Sequence, residues 1–134
     1  DSYMKSFQVV PGSKQLRITV KMPHGHQPGW EPPEIGQFID AKCRDGIPLP
    51  VPGTPLVKDG RVTVTIDSKT KVTSARLHFT SDKGLRMNRD WKTVPGTIDG
   101  KTITADAPPE TANTWFLTMT DETGAIVSTT VVFQ

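Results

Sequence analysis

The sequence predicts a mainly β protein, with a β-sandwich in its C-terminal part and a helix–strand–loop–helix segment before it. Eight of the twelve prolines lie between Pro23 and Pro55, so they separate the opening of the chain from the remainder. Beyond Pro55 apolar and polar residues alternate, which is the period of strands with one buried face. These observations divide the 134 residues into an opening segment (1–47), a proline-rich linker (48–55) and a sandwich domain (56–134).

Two helices are expected in the opening segment. The first spans residues 2–7, where Tyr3, Met4 and Phe7 can share one face. The second begins near Pro32 or Pro33, runs to about Arg44 and has Gly46 as its stop signal. Its apolar stripe consists of Ile35, Phe38, Ile39 and Cys43. Cys43, the single cysteine, is expected to be a small buried side chain on this helix.

A strand is expected between these helices, at residues 15–22. Leu16, Ile18, Val20 and Met22 alternate there with polar residues, as in a strand buried on one face. A strand–loop–helix unit of this size cannot bury both of its faces alone, so it requires a larger sheet to pack against. Without that sheet the strand leaves a free pairing edge, which predicts a homodimer through residues 15–22.

Several short strands are expected after residue 55. They lie near residues 62–66, 75–79, 101–105, 114–120 and 125–133. The last two form the clearest hairpin, joined by the turn at 121–124. Trp115, Leu117 and Met119 are expected on one face of it, and Phe116, Thr118 and Thr120 on the other. About six or seven short strands of this spacing are typical of an immunoglobulin-like or fibronectin-type sandwich.

Composition excludes several classes of function. The formal net charge is +2 and both signs are mixed along the chain, so nucleic acid is not an expected partner. The apolar runs are too short to cross a bilayer, and no membrane partner is expected. One cysteine rules out an internal disulfide, and nothing in the sequence calls for a cofactor.

The stretch from Met22 to Trp30, MPHGHQPGW, is the part of the sequence most indicative of chemistry. It lies between the predicted strand and the second helix, and residues just past a strand's carboxyl end project into the active-site crevice of α/β sheets. A histidine there can act as a general base. On the residues alone, a solvated or turn-stabilising histidine is the commoner case. A metal held by His24 and His26 would lack a full ligand set even with Glu31 or Glu34, so none is predicted.

A family resemblance favours the catalytic interpretation. The run DSYMKSF, a strand and then MPHGH-QPGW-EPPEIGQFID resembles the end of the α/β-hydrolase domain of acetyl xylan esterase-like and dienelactone-hydrolase-like enzymes, related to the prolyl oligopeptidase type. It covers roughly residues 1–50. The resemblance implies that His24, directly before Gly25, is the catalytic general base, with Gly25 turning the backbone sharply beside it. It also implies that His26 and Trp30 contact substrate, although packing on the second helix is the simpler role for Trp30.

The rest of the family's catalytic machinery is not in this sequence. The nucleophile motif G-x-S-x-G does not occur, since Gly12-Ser13 lacks the second glycine and precedes a strand. Serine and acid come before the histidine in this fold, so both are expected upstream, and Asp1 is not assigned as the acid. The chain is therefore expected to be inert toward esters when alone.

The sandwich has a weaker resemblance to segments that follow some of these hydrolase domains. It rests on Trp91-Lys-Thr-Val-Pro95 and on the turn at 121–124, and implies an accessory position without activity. Core packing is the expected role of Trp91 and Trp115, although exposed tryptophans can stack on sugars. His78 lies between two apolar residues and is expected to face solvent without a function.

Two hypotheses of different classes follow. In the first, the chain is the C-terminal fragment of a secreted or periplasmic carbohydrate-ester hydrolase. Its partners are the missing N-terminal hydrolase domain and a polysaccharide or acylated sugar. In the second, it is a non-catalytic binding or spacer module, including a carbohydrate-binding one, whose opening segment is a structural clasp. Exposure of the stripe on the second helix distinguishes them.

Overall fold

Two of the described helices and the long strands beyond residue 55 follow the order expected from the sequence, whereas the short helix His26–Trp30 lies in a stretch expected to be a loop. A computed structural model describes residues 2–85 and 88–134, without the side chains of Ser2 and Tyr3, so Asp1 and the Tyr3 side chain lie outside the described part. The helices are α1 (Ser2–Val9), α2 (His26–Trp30) and α3 (Glu34–Cys43). The strands are β1 (Val51–Pro52), β2 (Leu56–Lys58), β3 (Arg61–Asp67), β4 (Val72–Thr80), β5 (Lys92–Pro95), β6 (Thr97–Asp99), β7 (Thr102–Asp106), β8 (Thr114–Asp121), β9 (Ile126–Ser128) and β10 (Val132–Phe133).

Two antiparallel sheets pack as a sandwich, which confirms the predicted fold class. In the first sheet β1 and β2 pair with β3, which pairs with β7, and β7 with β6. In the second, β9 and β10 pair with β8, which pairs with β4, and β4 with β5. Val64 lies opposite Ile103 in the first sheet, and Leu77 opposite Leu117 in the second. Each of these four side chains is fully buried, so apolar pairs fix the register of both sheets.

The core fills the space between the sheets. Its members alternate along the strands, as a period of two requires. They include Val62, Val64 and Ile66 on β3, Ala75, Leu77 and Phe79 on β4, Ile103 and Ala105 on β7, and Trp115, Leu117 and Met119 on β8. The predicted inward face of the last hairpin is therefore confirmed.

The turn at 121–124 is confirmed and is held by one carboxylate. Asp121 Oδ1 accepts hydrogen bonds from the amides of Thr123 and Ala125 and from the Thr123 hydroxyl, at 2.9, 3.0 and 2.7 Å. Thr70 donates to Oδ2 at 2.6 Å. Burial raises the pKa of Asp121, but these hydrogen bonds from Thr70, Thr123 and Ala125 outweigh it and leave the pKa below its ordinary value. Gly124 has φ of 85°, a conformation that glycine adopts without strain.

The strands differ from the sequence prediction in several places, since β2, β5 and β6 were not predicted. The strand expected over 125–133 is divided into β9 and β10, because the Thr129 hydroxyl accepts the amide of Leu117 at 3.0 Å where a carbonyl would in a continuous ladder. Pairing also begins within the proline-rich stretch, where β1 pairs with the end of β3.

The strand predicted over residues 15–22 is wrong, since this segment belongs to neither sheet. It runs beside β9, which is only three residues long and offers too few partners for a ladder. The Ser128 amide donates to the Leu16 carbonyl at 2.8 Å, and the Ser128 hydroxyl accepts from the Ile18 amide at 2.9 Å. The chain then turns at Lys21, which has φ of 53°.

The helix α3, which is the second of the two predicted helices, forms where predicted, but only part of its apolar stripe is buried. Phe38 packs against the sandwich core, whereas Ile35 and Ile39 are 42% and 49% exposed. Cys43 is also exposed, so its predicted burial is wrong. The reason is that α3 meets the sandwich through the side that carries Glu34 and Phe38, which turns the rest of the stripe outward.

The predicted stop of this helix is confirmed in detail. The amides of Arg44 and Gly46 both donate to the Asp40 carbonyl, at 2.8 and 3.0 Å. Asp45 takes the left-handed conformation, with φ of 56°. Gly46 instead permits close approach, because a Cβ there would lie 2.9 Å from the Asp40 carbonyl carbon.

Candidate functional site

The three residues predicted to form the site lie in one exposed stretch. His24 is in a loop, His26 is the first residue of α2 and Trp30 is its last. All three side chains are exposed, Trp30 to 76%. The chain bends at His24 and Gly25 as expected, although Gly25 itself has extended dihedral angles, with φ of 162° and ψ of 167°. The stretch thus presents two histidines and an indole to solvent on a single strip of backbone.

The histidines have no acidic partner within the described ranges. No carboxylate there forms an ion pair with His24 or His26. Glu31 accepts a hydrogen bond from Gln27 at 2.7 Å, and Glu34 faces the sandwich. Residues 2–85 and 88–134 also include no group of three His, Cys, Asp or Glu side chains that could hold a metal. A general base needs a group that fixes its tautomer and a nucleophile to activate, and the described part of the chain brings neither to His24.

An apolar groove with a volume of about 510 Å³ lies beside this stretch. One wall is the segment that leads to His24, from Ser13 to Met22, and the other is α3. Its apolar lining comes from Leu16, Met22, Pro28, Pro32, Ile35, Phe38, Ile39, Leu49, Ile126 and Val127. Met22 and Pro28 stand on either side of the two histidines in the sequence, so the His24 loop and the groove share residues at their edges.

Glu34 is a buried charged residue that lines this groove on the side facing the sandwich. It is only 6% exposed, although it stands in the first turn of a short helix. Its Oε1 accepts the Ile126 amide at 2.6 Å, and its Oε2 pairs with the Arg17 guanidinium. This role of Glu34 was not predicted, because its partners lie 17 and 92 positions away along the chain and no local pattern signals them.

A second cluster lies on the outer face of the second sheet. The His78 ring stacks on Phe116 with centroids 5.1 Å apart, and Trp91 meets Phe116 edge-on at 5.5 Å. The ring nitrogens of His78 lie 2.9 Å from the hydroxyls of Thr93 and Thr118. Burial, and then the charge of Arg76, lower the pKa of His78.

The positions of His78 and Trp91 correct two expectations about the sandwich, and the position of Trp115 confirms a third. His78 faces away from the core as predicted, yet it is half-buried and hydrogen-bonded rather than solvated. Trp115 is 1% exposed within the core, which excludes it from contact with a sugar. Trp91 is only half-buried and packs on Phe116 outside the core, so the core packing expected of it is wrong.

Comparisons with known proteins add no family to this geometry. No protein-family model matches the sequence, and no curated protein matches it either. Among the described helices, none has both the length and the apolar character needed to span a membrane. Any statement of function therefore depends on the residues and their placement.

Proposed function

We propose that this chain is the C-terminal part of a carbohydrate-ester hydrolase of the α/β-hydrolase type, with His24 as its general base. The observation that carries the proposal is the uncovered apolar stripe of α3 beside the exposed His24 loop. In this proposal an upstream domain supplies the serine nucleophile, the acid and the neighbouring sheet. The immunoglobulin-like sandwich is then an accessory domain.

The exposed apolar residues of the opening segment support a missing partner. Large apolar side chains that are at least 42% exposed occur at Val9, Val10, Met22, Trp30, Ile35, Ile39 and Ile47. Contiguous apolar surface is uncommon on a folded monomer and marks a place where another surface packs. Ile35, Ile39 and Met22 line one groove, so this surface is continuous and not a scatter of single residues.

The exposure of His24 suits the chemistry. In a serine hydrolase, the imidazole Nε2 takes the serine hydroxyl proton as the serine oxygen attacks the ester carbonyl. It then gives that proton to the leaving alcohol oxygen, which here belongs to a sugar. An acid on the opposite face holds Nδ1, so both ring nitrogens have to be reachable. His26 and Trp30 follow His24 on the same strip and are proposed to contact the acylated sugar.

Location and assembly are parts of the same proposal. An enzyme acting on a polysaccharide or an acylated sugar meets its substrate outside the cytoplasm, so we propose secretion or a periplasmic location. The homodimer through residues 15–22 stays a prediction. Ser128 already forms hydrogen bonds with the backbone of Leu16 and Ile18. Pairing with a second copy of the chain would therefore use the backbone groups of the segment beyond Ile18. A molecular mass from sedimentation that equals the monomer mass at every concentration would contradict the predicted homodimer.

The test is hydrolysis of a p-nitrophenyl acetate-type ester by this chain and by the complete natural polypeptide. We expect no turnover from this chain, and turnover from the complete polypeptide that His24→Ala nearly abolishes. Gln27→Ala, an exposed change on α2, is the matched control and is expected to keep the wild-type rate. An unchanged rate with His24→Ala would contradict the catalytic assignment.

One observation favours the second hypothesis, a binding or spacer module. Phe38 packs against the sandwich core and Glu34 bonds to β9, so the opening segment is attached to the sandwich as a clasp would be. If the complete polypeptide has no esterase activity, this hypothesis takes precedence. Retention of the chain on acetylated xylan, measured against deacetylated xylan, then tests whether the module binds carbohydrate.

A further inference from the structure

The segment that leads to His24 is tied to the sandwich at two buried points. The first tie is Glu34, which joins Arg17 of the segment to the Ile126 amide of β9. The second is Ser128, which accepts the Ile18 amide with its hydroxyl and donates its own amide to Leu16. We call these contacts the β9 clamp. They fall six to eight residues before His24, on the stretch of chain that sets its position.

The hydrogen bonds of the β9 clamp are buried and partly charge-assisted. Glu34 and Ser128 are 6% and 3% exposed, so water competes little for their bonds. The Glu34 carboxylate accepts from a charged guanidinium and from a backbone amide, and charge-assisted bonds of this kind are the stronger ones. Its place in the first turn of α3 is also favourable, because the helix dipole is positive there.

Another polar contact between this segment and the sandwich is weaker. Lys21 Nζ lies 3.3 Å from Asp90 Oδ1, but these side chains are 54% and 89% exposed. Exposed pairs of this kind contribute little to stability. The β9 clamp is therefore the contact that fixes the direction in which the chain approaches His24.

We propose that Glu34 is a positioning residue for His24, acting through Arg17 and β9. This rests on the proposed function, in which His24 is the general base. The sandwich is then part of the catalytic apparatus without touching substrate, since it holds the chain that carries the base. A displacement of about 1 Å at a catalytic group can lower a rate by orders of magnitude, so loosening the clamp lowers kcat.

The experiment uses the complete natural polypeptide with three substitutions, assayed for kcat and KM. Glu34→Gln keeps an acceptor for the Ile126 amide and removes the charge that pairs with Arg17. Ser128→Ala removes the acceptor of the Ile18 amide and leaves Glu34 intact, so it serves if the first variant does not fold. Glu31→Gln is the matched control, because Glu31 contacts only Gln27 through an exposed bond.

We expect Glu34→Gln and Ser128→Ala each to lower kcat about ten-fold with KM nearly unchanged, and to lower the thermal midpoint because each removes a buried polar bond. Glu31→Gln should match the wild type. Hydrogen exchange of the Ile18 amide should quicken in both clamp variants, which reports the loosening without reference to activity. This split between kcat and KM is what a merely structural role would not produce.

Other results overturn the proposal in distinguishable ways. If the clamp variants keep kcat within two-fold while His24→Ala abolishes turnover, the positioning role is wrong and the proposed function stands. If kcat and KM change together, Glu34 is only a structural residue. If His24→Ala itself leaves turnover intact, the proposed function fails and the positioning role fails with it.

Discussion

The sandwich and the opening segment treat their apolar residues in opposite ways. Every buried member of the core cluster comes from Leu49 or later, and the long strands β3, β4, β7 and β8 place an apolar face inward. In the opening segment, the described buried residues are Met4 and Glu34, while α3 turns Ile35 and Ile39 outward. The long strands of the sandwich thus bury their apolar residues against one another, whereas much of the apolar face of the opening segment has nothing packed on it. An apolar period that the fold leaves exposed is the sign of an interface.

The largest expected effect comes from a matched pair of isoleucines, one in each region. Ile103→Ala removes a fully buried side chain of β7 and should lower the free energy of unfolding by about 3 kcal/mol. Ile39→Ala in α3 should change it by less than about 0.5 kcal/mol. Urea unfolding of each variant measures both values. Equal losses of free energy would mean that the two regions form one core, which would contradict the difference in burial between them.

The next effect concerns the turn that Asp121 holds. Asp121→Asn keeps the size of the side chain but weakens its bonds to Thr70, Thr123 and Ala125, and should cost about 2 kcal/mol at neutral pH. The pKa of Asp121 is lowered in the folded state, so the unfolded state binds more protons in acid. The stabilisation is full above about pH 4 and is lost as pH falls through the folded pKa.

Urea unfolding between about pH 2 and pH 6 checks this acid limb. The wild type should lose stability steeply below pH 4, and Asp121→Asn should show a flatter slope there. An identical slope in the two proteins would show that other carboxylates carry the acid dependence.

Two glycines, Gly36 within α3 and Gly46 just beyond its end, should respond to alanine with opposite signs. Gly46→Ala places a Cβ 2.9 Å from the Asp40 carbonyl carbon, so the end of the helix has to shift, at a cost of about 1 kcal/mol. At Gly36 a Cβ meets nothing within 4 Å, and alanine is the better helix former by about 1 kcal/mol. Hydrogen exchange of the Arg44 and Gly46 amides measures the local effect. Matching signs would contradict the geometry of this helix end.

The smallest effect is expected at His78. Its pKa is lowered in the folded state, first by burial and then by Arg76, so protonation favours the unfolded protein. The free energy of unfolding should therefore be constant above about pH 7.5, and fall as pH drops through the ordinary histidine pKa toward the folded one. His78→Gln should flatten this step, measured by urea unfolding at pH 5.5, 6.5 and 7.5. Asp121→Asn serves as a control, because it alters only the acid limb; an unaltered step in His78→Gln would refute the assignment.

The sequence was sufficient for the sandwich because its signals are local. Alternation placed the core residues of β3, β4 and β8, and the residues at 121–124 identified the turn. In these strands the inward face is set by the chain's own period, so no knowledge of distant partners is required.

The opening segment was harder to predict because its outcome depends on distant contacts. Residues 15–22 alternate as a strand does, but the neighbour they meet is β9, which is too short for a ladder. The facing of α3 was likewise decided by Glu34 and the Ile126 amide, 92 positions apart. For the candidate site, the sequence identified His24, His26 and Trp30, and their exposure is what the structure adds. The β9 clamp had no signal in the sequence at all.

The central claim is that the outward stripe of α3 is covered in the complete polypeptide. Cys43 stands at the end of that stripe, is exposed in this chain and is its single cysteine. The most direct measurement is the rate of Cys43 alkylation, followed by mass spectrometry of its peptide, in this chain and in the complete polypeptide. The account predicts rapid alkylation in this chain and a rate at least ten-fold slower when the upstream domain is present. Equal rates would contradict it, since α3 would then be a free surface in both.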